Sequence, residues 1–218
     1  MQTFKDLTPK KKLEHVLYYY KWHMIVGVCL LFLAINLIVT IAQRDKNIPL
    51  FILSVQGIPK DYDKIEVWEE EVTNKIAEPD TKQKVRVDYY PIRLDSQDQI
   101  SVANTQKFAV LLAAGDLDVV CLDEELFLTQ AAMGFYHPLD ELPELSAVLD
   151  KIEPRAIRLK TEADTNEHIY GIWADGLEIM KKLDESTEGK IIGIVKTTKR
   201  LSYSTDFIQL VLENEGGI

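Results

Sequence analysis

Four residues stand where an apolar run gives way to polar chain and are placed to meet a ligand: Gln56, Asp123, Glu124 and Trp173. An amide, two carboxylates and an indole can hydrogen-bond to a flat polar molecule such as a sugar and stack on it, but they include no nucleophile beside a base. Asp116, Asp118, Asp123, Glu124 and Glu125 form a local acidic set. Within it Asp118 opens an apolar run and Asp123 precedes a helical one, positions that suit a strand start and a helix N-cap. Glu69-Glu70-Glu71 is a second acidic run, expected on the wet face of a helix. The histidines His15, His23, His137 and His168 are scattered and show no metal-ligand spacing, so neither a metal site nor a cofactor is expected. The chain has no Gly-rich phosphate loop, no Gly-x-Ser-x-Gly elbow and no close pair of cysteines. These residues point to binding without catalysis.

The stretch that positions everything else is Trp22–Ala42, twenty-one residues without Asp, Glu, Lys or Arg. At ~1.5 Å per residue such a helix spans the ~30 Å hydrocarbon core of a bilayer, so it predicts one transmembrane helix. Lys5, Lys10, Lys11, Lys12 and Lys21 precede it against only Asp6 and Glu14, which predicts a cytoplasmic N-terminus and an extracellular remainder. With the whole chain at −10, the part beyond the span is the more acidic for that basic start, and nucleic acid is an unsuitable partner. Tyr18, Tyr19, Tyr20 and Trp22 suit a headgroup belt. The domain reading is a cytoplasmic basic segment 1–21, a transmembrane helix 22–42, a tether 43–49 and an extracellular α/β domain 50–218. Cys121 is the one cysteine beyond the span, so no disulfide forms within that domain, which suits a bacterial cell envelope.

Periodicity orders the outer domain. Leu50–Gln56 reads as a mid-sheet strand, and Lys84–Tyr90 alternates as an edge strand with one wetter face. Between them Ile65, Trp68, Val72 and Ile76 recur at helical spacing, with Asp63 and Glu66 as a capping box. A helix over 99–114 with Gly115 as its C-cap, a strand over 118–122 and a helix over 124–133 follow, with Leu128 or Met133 toward the core. Phe135–Lys160 reads as helical turns. His168–Trp173 and Lys190–Lys196 read as strands around a helical segment, and a last amphipathic helix runs to Glu213, before a frayed Gly216-Gly217. This alternation predicts a three-layer α/β lobe with a mostly parallel sheet.

The segment Lys107–Val120, in which a helix ends Ala-Ala-Gly-Asp before Asp-Val-Val, resembles the bacterial extracellular solute-binding proteins of the sugar-type ABC importer class. Phe135–Leu142 with Pro138-Leu139-Asp140, Tyr170-Gly171-Ile172 and Ile191–Leu212 fall in the same order. Leu117 and Trp173 stand where that family commonly has Pro, and the residues after Gly171 are too few for a second lobe. The resemblance implies the fold of one periplasmic-binding-protein-like lobe, not transport. The partners expected are the membrane and other membrane proteins such as a transporter, with a small-molecule ligand only on the alternative reading below. Together these expectations describe a non-catalytic domain held at the membrane for protein interaction or sensing. The alternative is a solute-binding protein that completes its ligand cleft by dimerising.

Overall fold

The computed structural model describes residues 18, 21–44, 48–79, 81–96, 98–161 and 164–213. Lys5, Lys10, Lys11 and Lys12, His15, Tyr19 and Tyr20, part of the tether and Gly216-Gly217 lie outside the described residues. The chain divides into two compact units, Met1–Asn47 and Ile48–Ile218. In the first, helix α1 covers Lys21–Arg44. It is long and apolar enough to cross a membrane, and the side chains of residues 21–40 are exposed. Its one central amide, Asn36, donates to the Phe32 carbonyl one turn back (2.9 Å), so that polar head is satisfied inside the helix.

The second unit is α/β, built on one six-stranded mixed sheet. Its elements are β1 (Ile52–Gln56), α2 (Tyr62–Ile76), β2 (Arg86–Tyr90), α3 (Gln99–Ala114), β3 (Val119–Asp123) and α4 (Glu124–Ala132), followed by 3-10 turns at Leu139–Glu141 and Pro143–Val148. Then come α5 (Leu149–Ile152), β4 (Ala156–Leu159), β5 (His168–Trp173), α6 (Glu178–Leu183), β6 (Lys190–Ile194) and α7 (Leu201–Glu213). The strand order is β2-β1-β3-β6-β5-β4. Parallel pairing, expected for most of the sheet, holds through β2-β1-β3, whereas β3-β6, β6-β5 and β5-β4 pair antiparallel. Strand β4 lies in the stretch read as helical turns. Only residues 160–167 join it to β5, too few for the crossover that a parallel pair needs, and so the two pair as a hairpin.

Each face of the sheet has its own core. Phe51, just before β1, Leu53 and Val55 of β1 and Val119 and Cys121 of β3 pack against Trp68 and Val72 of α2, Met180 of α6 and Phe207 and Val211 of α7. Val120 and Leu122, the alternate residues of β3, join Phe108 and Leu112 of α3 and Phe127 of α4 on the other face. Trp68 is nearly buried, donates its indole N–H to the Ile179 carbonyl (2.6 Å) and meets Phe207 edge-on. Two local expectations are corrected. Asp61, rather than Asp63, caps α2 by accepting from the backbone N–H groups of Asp63 (3.0 Å) and Lys64 (3.3 Å). Leu128 and Met133 are exposed, because α4 turns Leu126, Phe127 and Ala131 to the core instead.

Candidate functional site

β3 and β5 both run antiparallel to β6, so they point the same way as β1, and one end of the sheet collects Gln56, Asp123 and Trp173. Glu124, exposed, opens α4 beside them at the helix's positive end. Gln56 is almost fully buried. Its Nε2 donates to the Ile92 carbonyl (3.0 Å), and its Oε1 accepts from the backbone N–H of Asp123 (2.9 Å). The chain leaves β1 for α2 on one face and enters β3 from α3 on the other, which is where an open α/β sheet has its ligand crevice. Here the Gln56 amide fills that position and spends both of its ends on backbone. Asp123 does not cap α4 with its side chain; its carboxylate instead lies 2.5 Å from the Lys190 ammonium, whose side chain is only 9% exposed. Trp173 is half-buried against the core under α3 and α4, and its carbonyl accepts from Arg155 (3.1 Å).

Glu125 follows Glu124 in the first turn of α4, whereas Asp116 and Asp118 lie at the opposite end of β3. Asp118 is fully buried and accepts from Arg200 Nη1 (2.7 Å), Thr198 Oγ1 (2.5 Å) and the backbone N–H of Ile52 (2.8 Å). Asp116 pairs with Lys199 at 3.4 Å. These carboxylates therefore serve two ends of a strand and form no common site. Between the ends, burial pushes the Cys121 thiol up to about 12, which keeps it protonated and unreactive.

Next to the filled crevice, an open cleft of about 750 Å³ lies beyond the carboxyl ends of β1 and β2. Ile58 and Tyr62, 71% and 75% exposed, stand on its rim, and Tyr89 and Tyr90 line it with Glu69 and Lys107. The Lys107 ammonium lies 5.6 Å from the Tyr90 ring centre, and burial raises the Tyr90 phenol to about 12. One wall is the edge of the sheet, closed by α2: Glu69 Oε1 accepts from the N–H of Val87 (2.7 Å) and Thr73 Oγ1 from that of Val85 (2.9 Å). Those bonds occupy N–H groups that an open edge would offer to another strand. Burial holds the Glu69 carboxyl above the usual range, whereas Lys75 and Lys182 hold Glu71 below it. The acidic run thus has separate tasks, and it is more than a solvated face.

A third group lies at the start of β5. The scatter of the histidines predicts no metal-binding group, yet the fold draws His168 together with Glu141 and Asp164, with ligand atoms all within 4.8 Å of one another. His168 Nδ1 lies 3.1 Å from Asp140 Oδ2, and Nε2 lies 3.3 Å from Asp164 Oδ2 and 3.5 Å from Glu141 Oε1. Leu139, wholly buried, anchors the turn that carries Asp140 and Glu141, and Asp140 Oδ1 accepts from the Ile169 N–H (3.0 Å). The sequence signal was slight: Asp164 and His168 are four residues apart, but Asp140 and Glu141 sit on a distant turn.

No protein-family model matches the chain, and neither a curated protein nor a solved structure matches it.

Proposed function

We propose that the chain is a single-pass membrane protein of the bacterial cell envelope, with its lysine-rich start in the cytoplasm and its α/β lobe outside. The lobe acts by binding a protein partner, in contact or in sensing, without catalysis. The observation that carries this reading is α1, whose exposed apolar side chains over residues 21–40 match the environment of a bilayer better than water. The filled crevice at Gln56 and the wide neighbouring cleft with Ile58 and Tyr62 on its rim favour a protein segment over an enclosed solute. Protease added to intact cells should digest the acidic lobe and spare the lysine-rich start; protection of the lobe would overturn the orientation. A photo-crosslinker at Tyr62 should capture a membrane protein such as a transporter, and Ile58→Asp should abolish that capture. Crosslinking that Ile58→Asp leaves intact would move the contact elsewhere.

A second reading has one observation in its favour. The cleft volume lies within the range of small-molecule sites and sits beyond strand carboxyl ends. On this reading the lobe is periplasmic-binding-protein-like and serves an ABC importer, completing its site by dimerising. A thermal-shift screen of sugars, peptides and amino acids separates the two, since a ligand at a hundredfold excess over its Kd should add ~2.7 kcal/mol.

A further inference from the structure

We propose that Glu141, Asp164 and His168 bind a divalent transition-metal ion, zinc by ligand type and spacing, with Asp140 as the positioning carboxylate behind the imidazole. The site stands apart from the cleft at Ile58 and Tyr62 and does not rest on the function proposed above. Its first support is distance. A tetrahedral ion with bonds of about 2.0–2.1 Å keeps its ligand atoms about 3.3–3.4 Å apart. His168 Nε2 stands 3.3 Å from Asp164 Oδ2 and 3.5 Å from Glu141 Oε1. The second support is the state of that nitrogen: it is buried and makes no hydrogen bond among the described residues, although two carboxylate oxygens face it. In the neutral ring with its proton on Nδ1, facing Asp140 at 3.1 Å, Nε2 presents a lone pair. In that tautomer three acceptors converge on one point, an arrangement that a metal cation in place of the ring's second proton resolves.

The surroundings hold the ligands in place. Asp140 has one oxygen on His168 and the other on the Ile169 N–H (3.0 Å), so the imidazole is locked as in carboxylate–histidine–zinc sites. Asp164 Oδ1 accepts from the Asn166 N–H (2.9 Å), which leaves Oδ2 turned toward His168. One imidazole and two carboxylates suit zinc better than calcium, which takes six to eight oxygens. Glu141 and Asp164 are 57% and 41% exposed at their side chains, so solvent can supply a water as fourth ligand. A bound ion would tie the loop before β5 to the turn at Leu139–Glu141.

The test is zinc binding to the full chain in detergent, in competition with a chromophoric chelator. One equivalent should bind, and the melting temperature should rise with zinc. His168→Ala and Asp164→Asn should each weaken binding at least about 100-fold, and Asp140→Asn about 10–100-fold. Glu141→Gln alters an exposed side chain, so a loss of affinity there with an unchanged metal-free melting curve reports ligation and not unfolding. Cobalt in place of zinc should give the intense visible absorption of a tetrahedral site. The proposal fails if wild type takes up no more zinc than His168→Ala, if calcium binds in preference, or if the cobalt spectrum is octahedral.

Discussion

The two halves of the sheet are held together differently. In the parallel half, β2-β1-β3, polar side chains close the strand ends: Gln56 joins Ile92 to Asp123 at one end, and Asp118 gathers Arg200, Thr198 and the Ile52 N–H at the other. In the antiparallel half the binding element is absence of bulk. Gly171 of β5 and Gly193 of β6 give up side chains so that the Phe127 ring can lie on the strands, stacked on Tyr136 with centroids 4.5 Å apart. A Cβ on Gly171 would stand 2.6 Å from Phe127 Cζ and 2.9 Å from the Ile192 carbonyl oxygen. Both halves are tied by ladders, β1-β2 and β3-β6 over five residue pairs each, and they differ in what completes them: polar closure at the strand ends in one, and fine shape under a helix in the other.

Removing one member of each device should separate the halves. Arg200→Ala leaves the fully buried Asp118 carboxylate without its cation and should cost about 3–5 kcal/mol in denaturant unfolding of the full chain in detergent. A loss under about 1 kcal/mol would show that Thr198 and the Ile52 N–H suffice, and would break the contrast. Gly171→Ala should cost about 1–3 kcal/mol, because the backbone of β6 and a ring stacked on Tyr136 both resist the new methyl. Tolerance of alanine there would mean that α4 can lift from the strands.

The smallest effects belong to the helix that closes the β2 edge. Glu71 is held below the 4.5 of an ordinary glutamate by Lys75 and Lys182, so its contribution is complete above 4.5 and is lost as pH falls through its lower folded value. Glu71→Gln should therefore cost up to about 0.5 kcal/mol at pH 7, with the difference from wild type vanishing in acid. Glu69 is raised by burial, so its charge opposes folding at pH 7, and that opposition fades as pH falls from its folded value to 4.5. Glu69→Gln keeps an acceptor for the Val87 N–H and should raise the melting temperature at pH 7. Equal and same-signed pH profiles for the two variants would show that they do not sense different surroundings.

Much of this architecture is legible in the residue pattern. Ile65, Trp68 and Val72 marked the buried face of α2, Gly115 ended α3 at a φ of 68°, and the alternation of Lys84–Tyr90 marked an edge strand. Gln56, Asp123 and Trp173 were also rightly placed at strand ends. What they do there was not legible: Gln56 spends its amide on two backbone groups, and Asp123 meets Lys190 rather than capping its helix. β4 was missed because Ala156–Leu159 is short and lies among prolines and 3-10 turns.

Read alone, the residues settled the uncharged apolar span, the succession of strands and helices apart from β4, and the buried face of α2. Those follow from composition and from periods of two and 3.6, which act between neighbours along the chain. Tertiary structure alone decided that β6 enters antiparallel beside β3, that an amide fills the crevice, and that Asp140 and Glu141 meet His168. These depend on residues far apart in the chain arriving at one place, and packing and hydrogen-bond geometry, not local pattern, select which of them fit.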